Sequence, residues 1–257
     1  MGRAKELIGL VTASPWKAID ADTPELANPP KPGVDWRVVS VLVTVAVVLT
    51  LQEYFGDRGT YYKWFGVPRG DRYGELKAFA WWAGWRVGGY VLIPLVVMAL
   101  MRERILDFNL RLRGFLEHLP LYLFMFAVFF PVLYAASHTA SFQHTYPFYK
   151  LANRSWFDFV AWELLYVAQF FALEFFFRGY ILHGLRHRFG AASVLVMMVP
   201  YCMIHYGKPL PETLGAVGAG ILLGTVAMRT RSIWGGVLIH VAVAVSMDSL
   251  SLWHQAR

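Results

Sequence analysis

Phe170-Phe171-Ala172-Leu173-Glu174-Phe175-Phe176-Phe177-Arg178-Gly179-Tyr180-Ile181-Leu182 sets a carboxylate and a guanidinium four residues apart inside an otherwise apolar run. On a helix that spacing brings both side chains to one face, one turn apart. Ionisable groups in hydrocarbon are costly, so those that occur face a protein interior or a wet cavity. The stretch therefore reads as the inward face of a membrane helix, and the remaining chain as its housing.

Composition agrees. The 257 residues are 57% hydrophobic and only 16% charged, where a soluble domain carries roughly 25% charged residues. Apolar windows of about 20 residues recur, each long enough to cross ~30 Å of hydrocarbon. The expected fold class is all-α, a polytopic transmembrane helical bundle of about seven spans with an interfacial amphipathic segment. The formal charge of +7 does not require nucleic acid. Lys and Arg collect in short loops beside apolar spans, where they set topology and meet anionic head groups, so membrane lipid is the expected partner. The single Cys202 excludes an internal disulfide and any multi-cysteine metal site.

In order, residues 1–36 read as a solvated cytoplasmic tail without a signal-peptide pattern, ending in the Pro-rich linker Asn28-Pro29-Pro30-Lys31-Pro32-Gly33. Residues 37–257 read as one membrane domain. Its spans are expected near 38–55, 79–101, 120–137, 159–182, 191–206, 213–228 and 233–253. Residues 102–118 form the amphipathic segment. Arg86 inside the second span reads as structural, snorkelling or facing the bundle. The balance of Lys and Arg between loops favours a cytoplasmic N-terminus, by a shallow margin.

Ionisable residues then concentrate in the C-terminal half. Glu163 precedes Glu174 by eleven residues, close to three helical turns, so both project from one face. Arg178 extends that stripe. His205 ends the fifth span, His240 lies about two turns into the seventh, and Asp248 follows it on the same face. Singly, each has a structural explanation: the Glu174–Arg178 pair can neutralise itself, and a lone buried His is usually packing. Their confinement to spans four, five and seven points to a shared cavity. Carboxylates with two His are the inventory for water activation or metal ligation. Phe175-Phe176-Phe177 reads as lipid-facing or packing bulk that dries the pair.

Glu174-Phe-Phe-Phe-Arg178-Gly179, then Tyr201-x-x-x-His205, then His240 after Trp234-Gly235-Gly236, resembles the CPBP intramembrane protease family, which includes the CAAX prenyl endopeptidases and the Abi and bacteriocin-processing proteins. The resemblance covers about residues 157–253. It implies an endopeptidase in a bacterial cell membrane, acting on a peptide or membrane-anchored protein substrate. Glu174, Arg178, His205 and His240 are the implied catalytic residues. The cofactor implied is either Zn held by Glu174, His205 and His240, or none. Two positions depart from the family pattern, Leu173 where a first Glu is usual and Ala244 where Asn is usual. Glu163, Asp248 and Tyr201 are the candidate supporting residues, with Asp248 backing His240. Two other functions remain open: a catalytically inactive CPBP-like protein that binds or regulates a partner, and a transporter with an ion-coupled carboxylate.

Overall fold

The computed structural model describes residues 14–27, 33–67 and 70–255. Among these the chain is helical, with a single antiparallel bridge from Leu110 to Ser232 as its only β pairing. Two short helices, α1 (Ser14–Ala21) and α2 (Pro24–Ala27), precede the first long one, α3 (Trp36–Phe55). Then come α4 (Arg58–Phe65) and α5 (Gly74–Leu100), the latter containing a π-helical turn at Gly88–Leu92. The short α6 (Leu112–Glu117) leads into α7 (Leu119–Ser137) and α8 (Ala140–Thr145). The C-terminal half holds α9 (Trp156–Glu174), a π-helical stretch at Phe175–Ile181, α10 (Leu182–Phe189), α11 (Ser193–Met203), α12 (Leu210–Thr230) and α13 (Trp234–Gln255).

Among the described residues six stretches are long and apolar enough to cross a membrane. The sequence expectation of about seven differs by one because Trp156–Met203 is a single run of 48 helical residues holding both the fourth and the fifth expected spans. The two are separated by a turn at Gly190, whose φ of +50° is unfavourable for any residue with a Cβ. The expected amphipathic segment is only partly helical. A 3₁₀ turn at Ile105–Asp107 and the Leu110 bridge interrupt it, and Asn109 sits at φ +59°.

The described residues divide into two compact units whose boundaries fall inside helices. The first comprises Met1–Val47, Ile93–Leu121 and Glu174–Gly236. Here α11 and α12 approach closely because glycines face bulky neighbours: a Cβ on Gly224 would stand 2.9 Å from Met197 Cε, and one on Gly220 3.1 Å from Tyr201 Cδ1. The solvated-tail expectation fails for residues 14–27. Ile19 is buried, the Trp16 indole N–H donates to Thr225 Oγ1 at 3.0 Å, and Asp20 accepts from the Ala191 amide at 2.7 Å. Arg186 adds bonds to Thr23 Oγ1 and the Asp22 carbonyl, and Arg229 pairs with Asp22 at 2.9 Å. One apolar anchor and five polar contacts offset the entropy of ordering this segment. The Pro-rich linker, residues 28–32, lies outside the described residues.

The second unit comprises Val48–Leu92, Tyr122–Leu173 and Val237–Arg257. Its core gathers Leu76, Phe79, Tyr149, Trp162, Tyr166 and Ala244. The Arg86 guanidinium donates to Tyr90 Oη at 2.8 Å and lies over the Trp82 ring. Beside the core, buried Asp158 accepts from Arg154 Nε at 3.0 Å and Tyr149 Oη at 2.7 Å. Burial, with that hydrogen bond, pushes the Tyr149 phenol above its ordinary pKa.

The Gly190 turn yields a test. A side chain there would meet Asp20 as well as adopt a left-handed backbone, so Gly190→Ala is expected to destabilise the protein by about 1–3 kcal/mol. Thermal unfolding in detergent should show a lowered Tm. A Tm equal to wild type would mean that the turn and its N-terminal strap are not under the constraint described.

Candidate functional site

The face announced by the opening stretch lies in the first unit. Glu174 ends α9, and the next seven residues widen into π-helical geometry, a feature that often marks functional positions. Glu174 and Arg178 form an ion pair of 3.1 Å between side chains that are 1% and 0% exposed. Phe175, Phe176 and Phe177 are all buried, so they are packing bulk and not lipid-facing. They leave the pair in a dry surround, where its attraction is stronger than in water.

Each member of the pair has a further neighbour. The Arg178 guanidinium carbon lies 3.9 Å from the centre of the Tyr201 ring, a cation–π contact in a desolvated setting. The Glu174 carboxyl abuts Gly236 in the first turn of α13, where a Cβ would stand 2.6 Å from its Cδ. First-turn N–H groups have no intrahelical partners, and the helix dipole there favours an anion. Only glycine leaves room for the carboxylate to reach that position.

Tyr201 passes the arrangement on to His205. Their rings are 4.9 Å apart, and His205 Nδ1 lies 2.8 Å from the Tyr201 carbonyl oxygen. A carbonyl can only accept, so Nδ1 carries a proton, and Nε2 is the nitrogen that can take one up or give one away. α11 ends at Met203, and His205 sits in the following turn, its own carbonyl accepting from Thr213 Oγ1 at 2.9 Å. It is partly exposed, whereas Glu174, Arg178 and Tyr201 are buried. Glu174, Arg178, Tyr201 and His205 thus form one unbroken chain of contacts running from a dry carboxylate to a wetter imidazole.

The other candidates belong to the second unit. The His240 ring stacks on Phe170 at 5.3 Å and 19° between planes. Phe170 continues a ladder of rings through Tyr166 (4.6 Å) and Trp162 (4.8 Å) along α9. The ladder ends where the Trp162 indole N–H donates to Asp248 Oδ2 at 2.6 Å. Asp248 therefore does not back His240 directly: eight helical residues separate them by about 12 Å along the axis, and its carboxylate is engaged by Trp162. Both Glu163 oxygens and Asp248 Oδ1 are buried without a hydrogen-bond partner. Leu173 and Ala244, where the family carries Glu and Asn, are buried apolar residues, and Ala244 packs in the core around Trp162.

Among the described residues no group of three or more His, Cys, Asp or Glu side chains could hold a metal ion. Of the donor set expected for Zn, Glu174 and His205 lie in the first unit and His240 in the second.

Two features of the site rest on contacts that the local sequence does not encode. One is Gly236 as the seat of the Glu174 carboxylate; the Gly235-Gly236 pair was visible, but not what it faces. The other is Asn109, a lone buried amide between Phe108 and Leu110, whose Nδ2 donates to the Arg178 carbonyl at 2.7 Å.

Residues 154–246 match the family model described as Type II CAAX prenyl endopeptidase Rce1-like, consistent with the CPBP resemblance. The interval spans a little over a third of the chain; it includes Glu163, Glu174, Arg178, Tyr201, His205 and His240, and stops short of Asp248. No curated protein and no solved structure matches the chain.

The buried pair can be tested by a double-mutant cycle. Arg178→Met alone strips a buried carboxylate of its countercharge and is expected to cost about 3–5 kcal/mol. Glu174→Leu combined with Arg178→Met should cost clearly less than the two single changes together. Strictly additive losses in detergent unfolding would show that the two charges are not coupled.

Proposed function

On the premise that residues 154–246 form an Rce1-like type II CAAX prenyl endopeptidase domain, we propose that this chain is an intramembrane endopeptidase. Its substrate is a peptide or membrane-anchored protein presented from the lipid. The observation that carries the reading is the contact chain Glu174–Arg178–Tyr201–His205, with the carboxylate seated at the first turn of α13.

In this reading Glu174, together with His205 Nε2, accepts a proton from water as its oxygen attacks the scissile carbonyl carbon. The C–O bond forms, the carbonyl oxygen takes up negative charge, and His240 is assigned to stabilise it. Collapse of the tetrahedral intermediate breaks the C–N bond, and the proton held by the Glu174–His205 pair goes to the leaving amine. Arg178 fixes the orientation of Glu174 and keeps a countercharge beside it throughout. Tyr201 fixes both Arg178 and the His205 tautomer.

The second reading is a catalytically inactive relative that binds a membrane partner. It is favoured by Leu173 and Ala244, apolar and buried where the family has its first Glu and its Asn. One assay separates the two. Purified protein in liposomes is offered a farnesylated CAAX peptide and a set of unprenylated membrane-anchored peptides. Wild type should cleave at least one, and His205→Ala and His240→Ala should each slow that cleavage by about a hundredfold. Undiminished cleavage by both variants would sink the protease assignment. In the same assay, dialysis against a strong chelator is expected to leave the rate unchanged; loss of activity restored by Zn would overturn the metal-independent route.

A further inference from the structure

We propose that Asn109 is a positioning residue for this active site, bracing its two sides together from a segment outside the family match. The inference rests on the protease reading above, since it concerns how Glu174 and Arg178 are held for that reaction.

The π-helical stretch Phe175–Ile181 departs from i→i+4 pairing around Arg178, and such a departure leaves backbone carbonyls that need another donor. Asn109 supplies it. Its side-chain amide donates to the Arg178 carbonyl at 2.7 Å, and the residue is buried. Its backbone takes φ +59°, a left-handed conformation that Asn tolerates better than most residues. The same residue faces the other way through its main chain, where its carbonyl accepts from the Ile233 amide at 2.7 Å.

Ile233 immediately precedes α13, whose first turn contains the Gly236 seat of the Glu174 carboxylate. Neighbouring contacts keep the brace in register. Leu110 bridges to Ser232, the Trp234 indole N–H donates to the Leu110 carbonyl at 3.2 Å, and the Arg111 amide donates to the Arg231 carbonyl at 3.3 Å. At Gly179 a Cβ would stand 3.0 Å from the Phe108 carbonyl oxygen, so that glycine lets the segment lie against the π-helical turn. One residue therefore holds both the turn that aims Arg178 and the strand-like lead-in that fixes Gly236. The carboxylate sits between them. Asn109 touches neither substrate nor the reacting atoms; it acts through Arg178 and Gly236.

The test uses full-length protein in liposomes with two substitutions. Asn109→Gly keeps the left-handed backbone and the bond from Ile233 but removes the amide. Asn109→Asp keeps the shape and cannot donate when ionised. Both should lower kcat by about tenfold or more, the scale expected for a small misplacement of reacting groups, with KM within about twofold. The carbonyl carbon of Arg178, labelled together with the Gly179 nitrogen, should shift in NMR in both variants as its hydrogen bond is lost. Wild-type kcat in Asn109→Gly, or an unmoved Arg178 carbonyl signal, would overturn the proposal. A wild-type protein that cleaves nothing would refute the protease reading instead, and the carbonyl signal would still decide whether Asn109 braces the turn.

Discussion

The first unit is organised around an ion pair that ought to be expensive. Removing a carboxylate and a guanidinium from water costs several kcal/mol for each ion, and their mutual attraction repays this only when geometry and further partners are good. At Glu174 and Arg178 a close charge contact and a ring face supply part of that repayment, while the three guanidinium nitrogens of Arg178 are buried without hydrogen-bond partners. The carboxylate meets the guanidinium at 3.1 Å and the amide-rich first turn of α13; the guanidinium meets the face of Tyr201 at 3.9 Å. The glycines at 179 and 236, the π-helical turn, and the donor from Asn109 all follow from the need to bring those groups together in a dry interior. A chain seeking only stability would be served as well by apolar residues of similar volume.

The ladder of rings in the second unit gives His240 a similar treatment by different means. An imidazole stacked on Phe170 at 5.3 Å has its ring plane set by packing, and the rings behind Phe170 lead to Trp162, whose indole is pinned by Asp248. Asp248 is thus linked to His240 by contacts through three aromatic residues and not by a direct bond. Glu163 and Asp248 retain carboxyl oxygens without hydrogen-bond partners, which sets them apart from the fully engaged Asp158 of the same unit.

Much of this was legible in the chain because hydrocarbon punishes charge. Apolar windows marked the spans, and the same penalty singled out Glu174, Arg178, His205 and His240 without any structure. Spacing also placed Glu174 and Arg178 on one face, since that relation is local. What stayed hidden depends on contacts far apart in sequence. Nothing around Gly236 says that it faces Glu174, and nothing in Asp107-Phe108-Asn109-Leu110 says that the amide fills a carbonyl near residue 178. The docking of residues 14–27 was missed for the same reason, because the partners of Trp16 and Asp20 lie on α12 and at Ala191. Helical periodicity misplaced the support for His240: Asp248 shares its face, yet sharing a face at two turns' distance is not contact.

What remains to be decided at Glu174 is whether its carboxylate activates water or is merely neutralised by Arg178. The most direct measurement compares turnover and unfolding in Glu174→Asp, which keeps the charge beside Arg178 but withdraws the carboxylate by one methylene from its seat at Gly236. Water activation by Glu174 predicts a fall in kcat of about a hundredfold in protein that still unfolds near the wild-type temperature. Wild-type turnover in that variant would contradict it and return the pair to a structural role.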